Sequence, residues 1–346
     1  MRYLSDRTVR HLRRVAEWPD LGETKYRLIE ELGRGGMGAV YLAEDTVLGR
    51  RVALKVLGAA AATPGSVDRL WNEARILARL EHPGIVPIHD AGALPDGRIY
   101  YAMKRVDGKR LDELVPSLSR AERLRAFQRI CEAVSFAHAR GVVHRDLKPE
   151  NVMVGSFGEV LVMDWGVAKA LEASAGAPPP DSDVARSDAT AAGAVVGTLA
   201  YMAPEQAEGA ADRIRAAADV YGLGAILYFL LGGRAPFEGE HAEDRARGAA
   251  RVEPVSLRRS DPSVPPALEA IVRRAMTVEP DRRYASAEEL SAEVSRYLDG
   301  ERVLAHEEGL LERARRMLAR YRTPILIVLA YVVVRAALIV FGFGRR

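Results

Sequence analysis

The chain has almost no cysteine, almost no net charge and no apolar run near its start, and each lack narrows what it can be. A single cysteine in 346 residues excludes an internal disulfide and suits a reducing compartment. Fifty Lys and Arg against 47 Asp and Glu leave a net charge of only +3. The arginine-rich stretches 7–14 and 313–322 are local and lack the interleaved aromatics of a nucleic-acid surface, so no nucleic-acid partner is expected. The N-terminus carries no apolar signal core, and export is not expected. Hydrophobic content of 48% over this length suits one large domain with extensions.

What is present is a set of short motifs rich in acid, cation and glycine. The run His144-Arg145-Asp146-Leu147-Lys148-Pro149-Glu150-Asn151 places an acid, a cation and an amide on one short loop. Such spacing lets Asp146 accept the proton of an attacking hydroxyl, Lys148 neutralise a moving phosphoryl group and Asn151 hold a magnesium ion. Upstream lies Leu32-Gly33-Arg34-Gly35-Gly36-Met37-Gly38-Ala39-Val40. Backbone without Cβ atoms lets the amides of a tight turn close over a triphosphate. A dinucleotide-binding glycine run would lead into a helix. This one leads into Val40-Tyr41-Leu42-Ala43, which reads as a strand, so a glycine-rich hairpin is the better reading.

Lys55 sits inside the apolar run Val52-Ala53-Leu54-Lys55-Val56-Leu57, where its charge must be met or is costly. The helical pattern Val67, Leu70, Trp71, Ala74, Ile76, Leu77, Leu80 carries Glu73. A short apolar strand, Val160-Leu161-Val162-Met163, leads into Asp164-Trp165-Gly166.

In this order the segments resemble the catalytic machinery of eukaryotic-type (Hanks-type) protein kinases in bacteria, in the serine/threonine form. The resemblance covers about residues 26–300 and implies an α+β, two-lobed fold. A β-rich N-lobe would span 26–105 and an α-helical C-lobe 106–300, after a polar extension over 1–25. Lys55 would then hold the α- and β-phosphates of ATP and Glu73 would hold Lys55. Asp164 would join Asn151 as a ligand of magnesium, with manganese as the alternative ion. Met103 would be the gatekeeper, with Lys104, Arg105 and Val106 forming the hinge to adenine and Val40, Ala53 and Met153 sandwiching the base. Thr198 would sit in the substrate-docking turn, hydrogen-bonded near Asp146 and Lys148. Glu205 would pair with Arg283, or with its neighbour Arg282, and Asp219 would accept backbone N–H groups of the catalytic loop.

Trp165 departs from the family's phenylalanine and must fit an apolar column shared with His144, Leu77 and Ile88. The segment 172–194 is rich in Ala, Gly, Pro, Ser and Asp. It offers Thr190, Ser187 and Ser182 as candidate phosphorylation sites, facing Arg145 as the phosphate's partner. Cys131, on an apolar face with Ile130, Val134 and Phe136, is expected in the core. The resemblance implies transfer to Ser and Thr of protein substrates, with autophosphorylation through a homodimer as a further expectation.

The last segment differs in kind. After the basic stretch 301–323, residues 324–343 form an apolar run long enough to cross a bilayer, interrupted by Arg335. Arginines before it favour a cytoplasmic kinase domain on a single-pass tail anchor. The alternative is a cytoplasmic protein whose last helix lies elsewhere.

Overall fold

The computed structural model describes residues 18–35, 38–58, 63–165, 169–170, 200–208, 215–237, 253–310, 312–314, 317 and 322–342. Gly36, Met37, Gly166, Ser182, Ser187, Thr190 and Thr198 lie outside the described residues.

The N-lobe is a five-stranded antiparallel sheet in the order β1-β2-β3-β5-β4. Its strands are β1 (Tyr26–Gly35), β2 (Gly38–Asp45), β3 (Arg50–Leu57), β4 (Ile88–Ala93) and β5 (Ile99–Lys104). Both faces are covered, and the two-residue period sorts the side chains between them. Val52, Leu54 and Val56 join Tyr41, Tyr100 and Ala102 in an outer cluster. Ala53 and Leu57 join Tyr101 and Met103 in the main core. Lys55 shares the parity of Ala53 and Leu57, so the pleat alone turns its ammonium inward. The outer cluster also takes in Leu21 and is packed by Trp18, whose ring meets Tyr41 edge-on at 6.3 Å. Packing of this lobe therefore starts before residue 26.

Helix α1 (Pro64–Arg79) crosses the inner face of the sheet. Thr63 caps it by accepting the Ser66 N–H at 3.3 Å, which satisfies one of the free amides of a first turn. Its apolar positions Leu70, Ala74, Leu77 and Leu80 enter the main core, and Glu73 lies among them.

The C-lobe is mainly helical. Helix α2 (Arg120–Ala139) opens with a reciprocal capping box between Ser119 and Glu122. It buries Phe127, Ile130 and Val134 together with Cys131, which is fully enclosed. Burial pushes the Cys131 thiol well above its ordinary pKa, so it is a packing residue without thiolate character. Helix α3 (Ala216–Gly232) is buried along almost its whole length. It ends at Gly233, whose φ of 69° is the left-handed cap that glycine supplies most cheaply. Helices α4 (Pro266–Ala275) and α5 (Ala287–Leu298) complete the lobe. Buried Glu293 of α5 accepts the N–H groups of Leu304 and Ala305, tying the following segment to the lobe. Between the lobes lie β6 (Gly108–Arg110), β7 (Val142–Val143), β8 (Val152–Gly155), β9 (Val160–Val162) and β10 (Lys169–Ala170).

Helix α6 (Arg322–Gly342) carries the C-terminal apolar run. From Ile327 to Leu329 and from Tyr331 to Val334 its side chains are all more than half exposed. Among the described residues no helix is long and apolar enough to cross a membrane.

Candidate active site

The β8–β9 hairpin sets the register of the site. Val152 pairs with Val162, and Met163 N–H donates to the Asn151 carbonyl at 2.8 Å. Asn151 and Asp164 therefore emerge side by side, although the sequence separates them by a whole hairpin. Asp164 reaches up to the N-lobe, where its carboxylate accepts from Lys55 Nζ at 3.1 Å. Lys55 also donates to both oxygens of Glu73, at 2.8 and 3.0 Å. Three residues from β3, α1 and the segment after β9 thus share one point. Burial disfavours the Lys55 ammonium, but Tyr101, Asp164 and Glu73 outweigh it and raise its pKa. Burial likewise works against the Asp164 carboxylate, and Lys55 more than offsets it, so Asp164 stays ionised below the usual carboxylate range.

On the catalytic loop, Asp146 Oδ2 accepts from Lys148 Nζ at 2.8 Å and from Asn151 Nδ2 at 3.0 Å. Asn151 Nδ2 also donates to the Asp146 carbonyl at 2.8 Å. The acid is thus aimed by two donors while one face stays open to the cleft.

The loop is held in place from below. Asp219, 1% exposed on α3, accepts the N–H of His144 and of Arg145, each at 2.8 Å. His138 of α2 adds a third contact at 2.7 Å. Burial would raise the Asp219 pKa; His138, His144 and the Arg145 amide outweigh it and hold the carboxyl below its ordinary value. This anchoring offsets real strain. Arg145 at φ 71° and Asp164 at φ 56° are the described non-glycine residues in left-handed backbone, a conformation costing about 1–2 kcal/mol each. Gln206 completes the clamp, donating to the Arg145 carbonyl at 2.8 Å.

His144 joins the two strained segments. Its Nε2 lies 2.9 Å from the Met163 carbonyl and its Nδ1 accepts the Asp146 N–H at 3.3 Å. Trp165 packs against the His144 ring at a tilt of 59°, with centroids 4.5 Å apart, and gives its indole N–H to the Val162 carbonyl at 3.3 Å. The larger ring is fully buried, so the core has been built around it. Leu77 belongs to the same core and Ile88 packs against it.

Gly35 at the end of β1 pairs with Gly38 at the start of β2. A side chain on Gly38, at φ 155°, would run into the Val56 carbonyl, so glycine is required there by the sheet. A Cβ on Gly33 or Gly35 would meet nothing within 4 Å. The fold around those two does not demand glycine. Leu32 is half exposed and Arg34 pairs with Glu31 at 2.9 Å. Ala39 points instead into the outer cluster, whereas Val40 and Ala53 line the inner face.

Met103 lies in β5, one residue before the strand ends at Lys104. It is 6% exposed and opposite Ala53. Lys104 gives its N–H to the Pro87 carbonyl at 3.0 Å. Met153, on β8, is half-buried. Glu205 pairs with Arg283 at 2.7 Å; Arg282, the alternative, is exposed.

Asp164 and Asn151 fit a magnesium ion that keeps several waters and takes phosphate oxygens as further ligands. Among the described residues no group of three or more His, Cys, Asp or Glu could hold a metal without substrate. Sequence reasoning missed Tyr101, His138 and Gln206. None belongs to a motif with a spacing to read, and each acts through a residue far away in the chain.

Comparison with known proteins agrees with this architecture. Residues 26–294 match the family described as Protein kinase domain. Serine/threonine-protein kinase PknB of Mycolicibacterium smegmatis is 39% identical over 284 residues, covering 80% of this chain and 43% of the relative. PrkC of Bacillus subtilis is 36% identical over 284 residues, covering 81% and 41%. PknD of Protochlamydia amoebophila is 36% identical over 297 residues, covering 80% and 30%. The chain thus spans less than half the length of these curated relatives. The PknI kinase domain of Mycobacterium tuberculosis superposes with a TM-score of 0.59 at 28% identity, covering 79% of this chain and 96% of that one. The protein belongs to the protein kinase family, within its bacterial serine/threonine branch.

Proposed function

We propose that the protein transfers the γ-phosphoryl group of ATP to serine and threonine hydroxyls of proteins, its own among them, in bacterial signalling. The observation that carries this reading is Lys55 Nζ held between Glu73 at 2.8 Å and Asp164 at 3.1 Å. Lys55 would bind the α- and β-phosphates while Asp146 accepts the proton of the attacking hydroxyl and Lys148 offsets charge on the phosphoryl group. The bond from hydroxyl oxygen to phosphorus forms as the bond to ADP breaks. A magnesium ion held by Asp164 and Asn151 would neutralise the phosphate oxygens, with manganese as the substitute. Val40, Ala53, Met103 and Met153 would enclose adenine.

Arg145 supports regulation by phosphorylation. Its Nε is buried without a hydrogen-bond partner among the described residues, a placement suited to a phosphate from residues 172–194. Thr190, Ser187 and Ser182 are the proposed phosphorylation sites. Homodimers would allow one copy to modify another. The exposed apolar side chains of α6 support association with a membrane, with the catalytic lobes on the cytoplasmic side.

Incubation with radiolabelled ATP and magnesium, for wild type and Asp146→Asn, tests the activity. Label on wild type alone, mapped by mass spectrometry to Ser and Thr, is expected. Equal background labelling of both would make the protein a nucleotide-binding scaffold instead. Removal of residues 324–346 should shift the protein out of the membrane fraction without loss of transfer.

A further inference from the structure

Tyr101 belongs to no motif, yet it completes the ion pair at the centre of the cleft. In the β3–β5 register it lies directly opposite Lys55, so both side chains leave the sheet on the same face. Its ring stands 5.7 Å from Lys55 Nζ, and its hydroxyl donates to Glu73 Oε1 at 2.8 Å. That oxygen is the one that also accepts from Lys55 at 2.8 Å. Tyr101 and Glu73 are each 2% exposed, so water cannot replace either partner. Burial, supported by Glu73, holds the phenol well above its ordinary pKa despite Lys55, and the hydroxyl keeps its proton.

The two donors differ in stiffness. Lys55 reaches Glu73 on a flexible four-carbon stem, which can follow a carboxylate that moves. The Tyr101 hydroxyl is fixed by a ring on a central strand and cannot follow. We propose that Tyr101 is a positioning residue for phosphoryl transfer: its hydroxyl fixes the Glu73 carboxylate on α1, and through it the direction of the Lys55 ammonium. Displacement of α1 would then strand a buried carboxylate and a buried hydroxyl together, so the second donor biases the lobe towards the assembled site. The inference rests on the kinase reading and adds a residue to it.

A double-mutant cycle with Tyr101→Phe and Glu73→Ala tests this, because phenylalanine keeps the ring and removes only the hydroxyl, and alanine removes the acceptor. Tyr101→Phe should lower kcat/KM for ATP about tenfold and leave the KM for the protein substrate unchanged. In the Glu73→Ala background the same substitution should change kcat/KM less than about twofold. Nucleotide affinity measured by calorimetry on the same four proteins closes the cycle if Glu73→Ala does not turn over. Wild-type kinetics for Tyr101→Phe, or an equal loss in both backgrounds, would overturn the role of Tyr101. Absence of transfer by wild type would overturn the activity itself.

Discussion

Arg283 and Glu205 meet in a two-point ion pair, Nη1 to Oε1 at 2.7 Å and Nη2 to Oε2 at 2.8 Å, with both residues out of water. The remaining guanidinium N–H groups reach the carbonyls of Thr277, Ala217 and Val278 at 2.7, 2.8 and 2.9 Å. Every donor of the fork is therefore used, and the pair staples the turn Pro204–Ala207 to α3 and to the segment before α5.

Arg283→Lys should therefore be severe despite preserving charge, since an ammonium has three donors and no planar fork. Breaking a buried pair costs about 3–5 kcal/mol. Urea denaturation should show an unfolding free energy lower by that amount, through a lower midpoint at unchanged slope.

Asp219→Asn removes a charge that accepts two backbone N–H groups and His138. The amide offers fewer acceptors and presents an N–H where donors already point. A loss of about 2–3 kcal/mol is expected. Transfer activity should fall as well, because the left-handed Arg145 loses its anchor; thermal melting and kinase assays on one preparation read both.

Trp165→Phe removes the indole bond to the Val162 carbonyl and leaves space against His144. Stability should drop by about 1–3 kcal/mol. The ring does no chemistry, so kcat should stay within severalfold of wild type. A variant with full stability would show that the indole is not packed as described.

His82 sets a pH dependence. Its Nδ1 accepts the Gly84 N–H at 3.0 Å, which only the neutral ring can do. Burial, with Arg140 adding to it, lowers its pKa below 6.5. The unfolded chain then takes up the proton first, so this stabilisation is complete above pH 6.5 and is lost as pH falls through the lower folded value. Between about pH 7.5 and about 5.5, wild type should lose more unfolding free energy than His82→Asn, whose amide oxygen accepts at any pH.

Much of the site was legible in one dimension because its chemistry is carried by short local runs. Lys55 inside an apolar strand, the acid, cation and amide between 144 and 151, and Asp164 after a short apolar strand each announce a role by residue type and spacing. The sequence likewise implied the buried Cys131.

Tertiary structure alone decided which distant groups complete those runs. Tyr101 lies 28 residues from Glu73, Arg283 lies 78 from Glu205 and His138 lies 81 from Asp219. Local propensity and periodicity report only on neighbours along the chain. A hydrogen bond between distant residues depends on where two separately formed elements pack, and on water being excluded between them. The choice of Arg283 over Arg282 and the left-handed backbone of Arg145 and Asp164 have the same origin: neighbours far along the chain impose them and offset their cost.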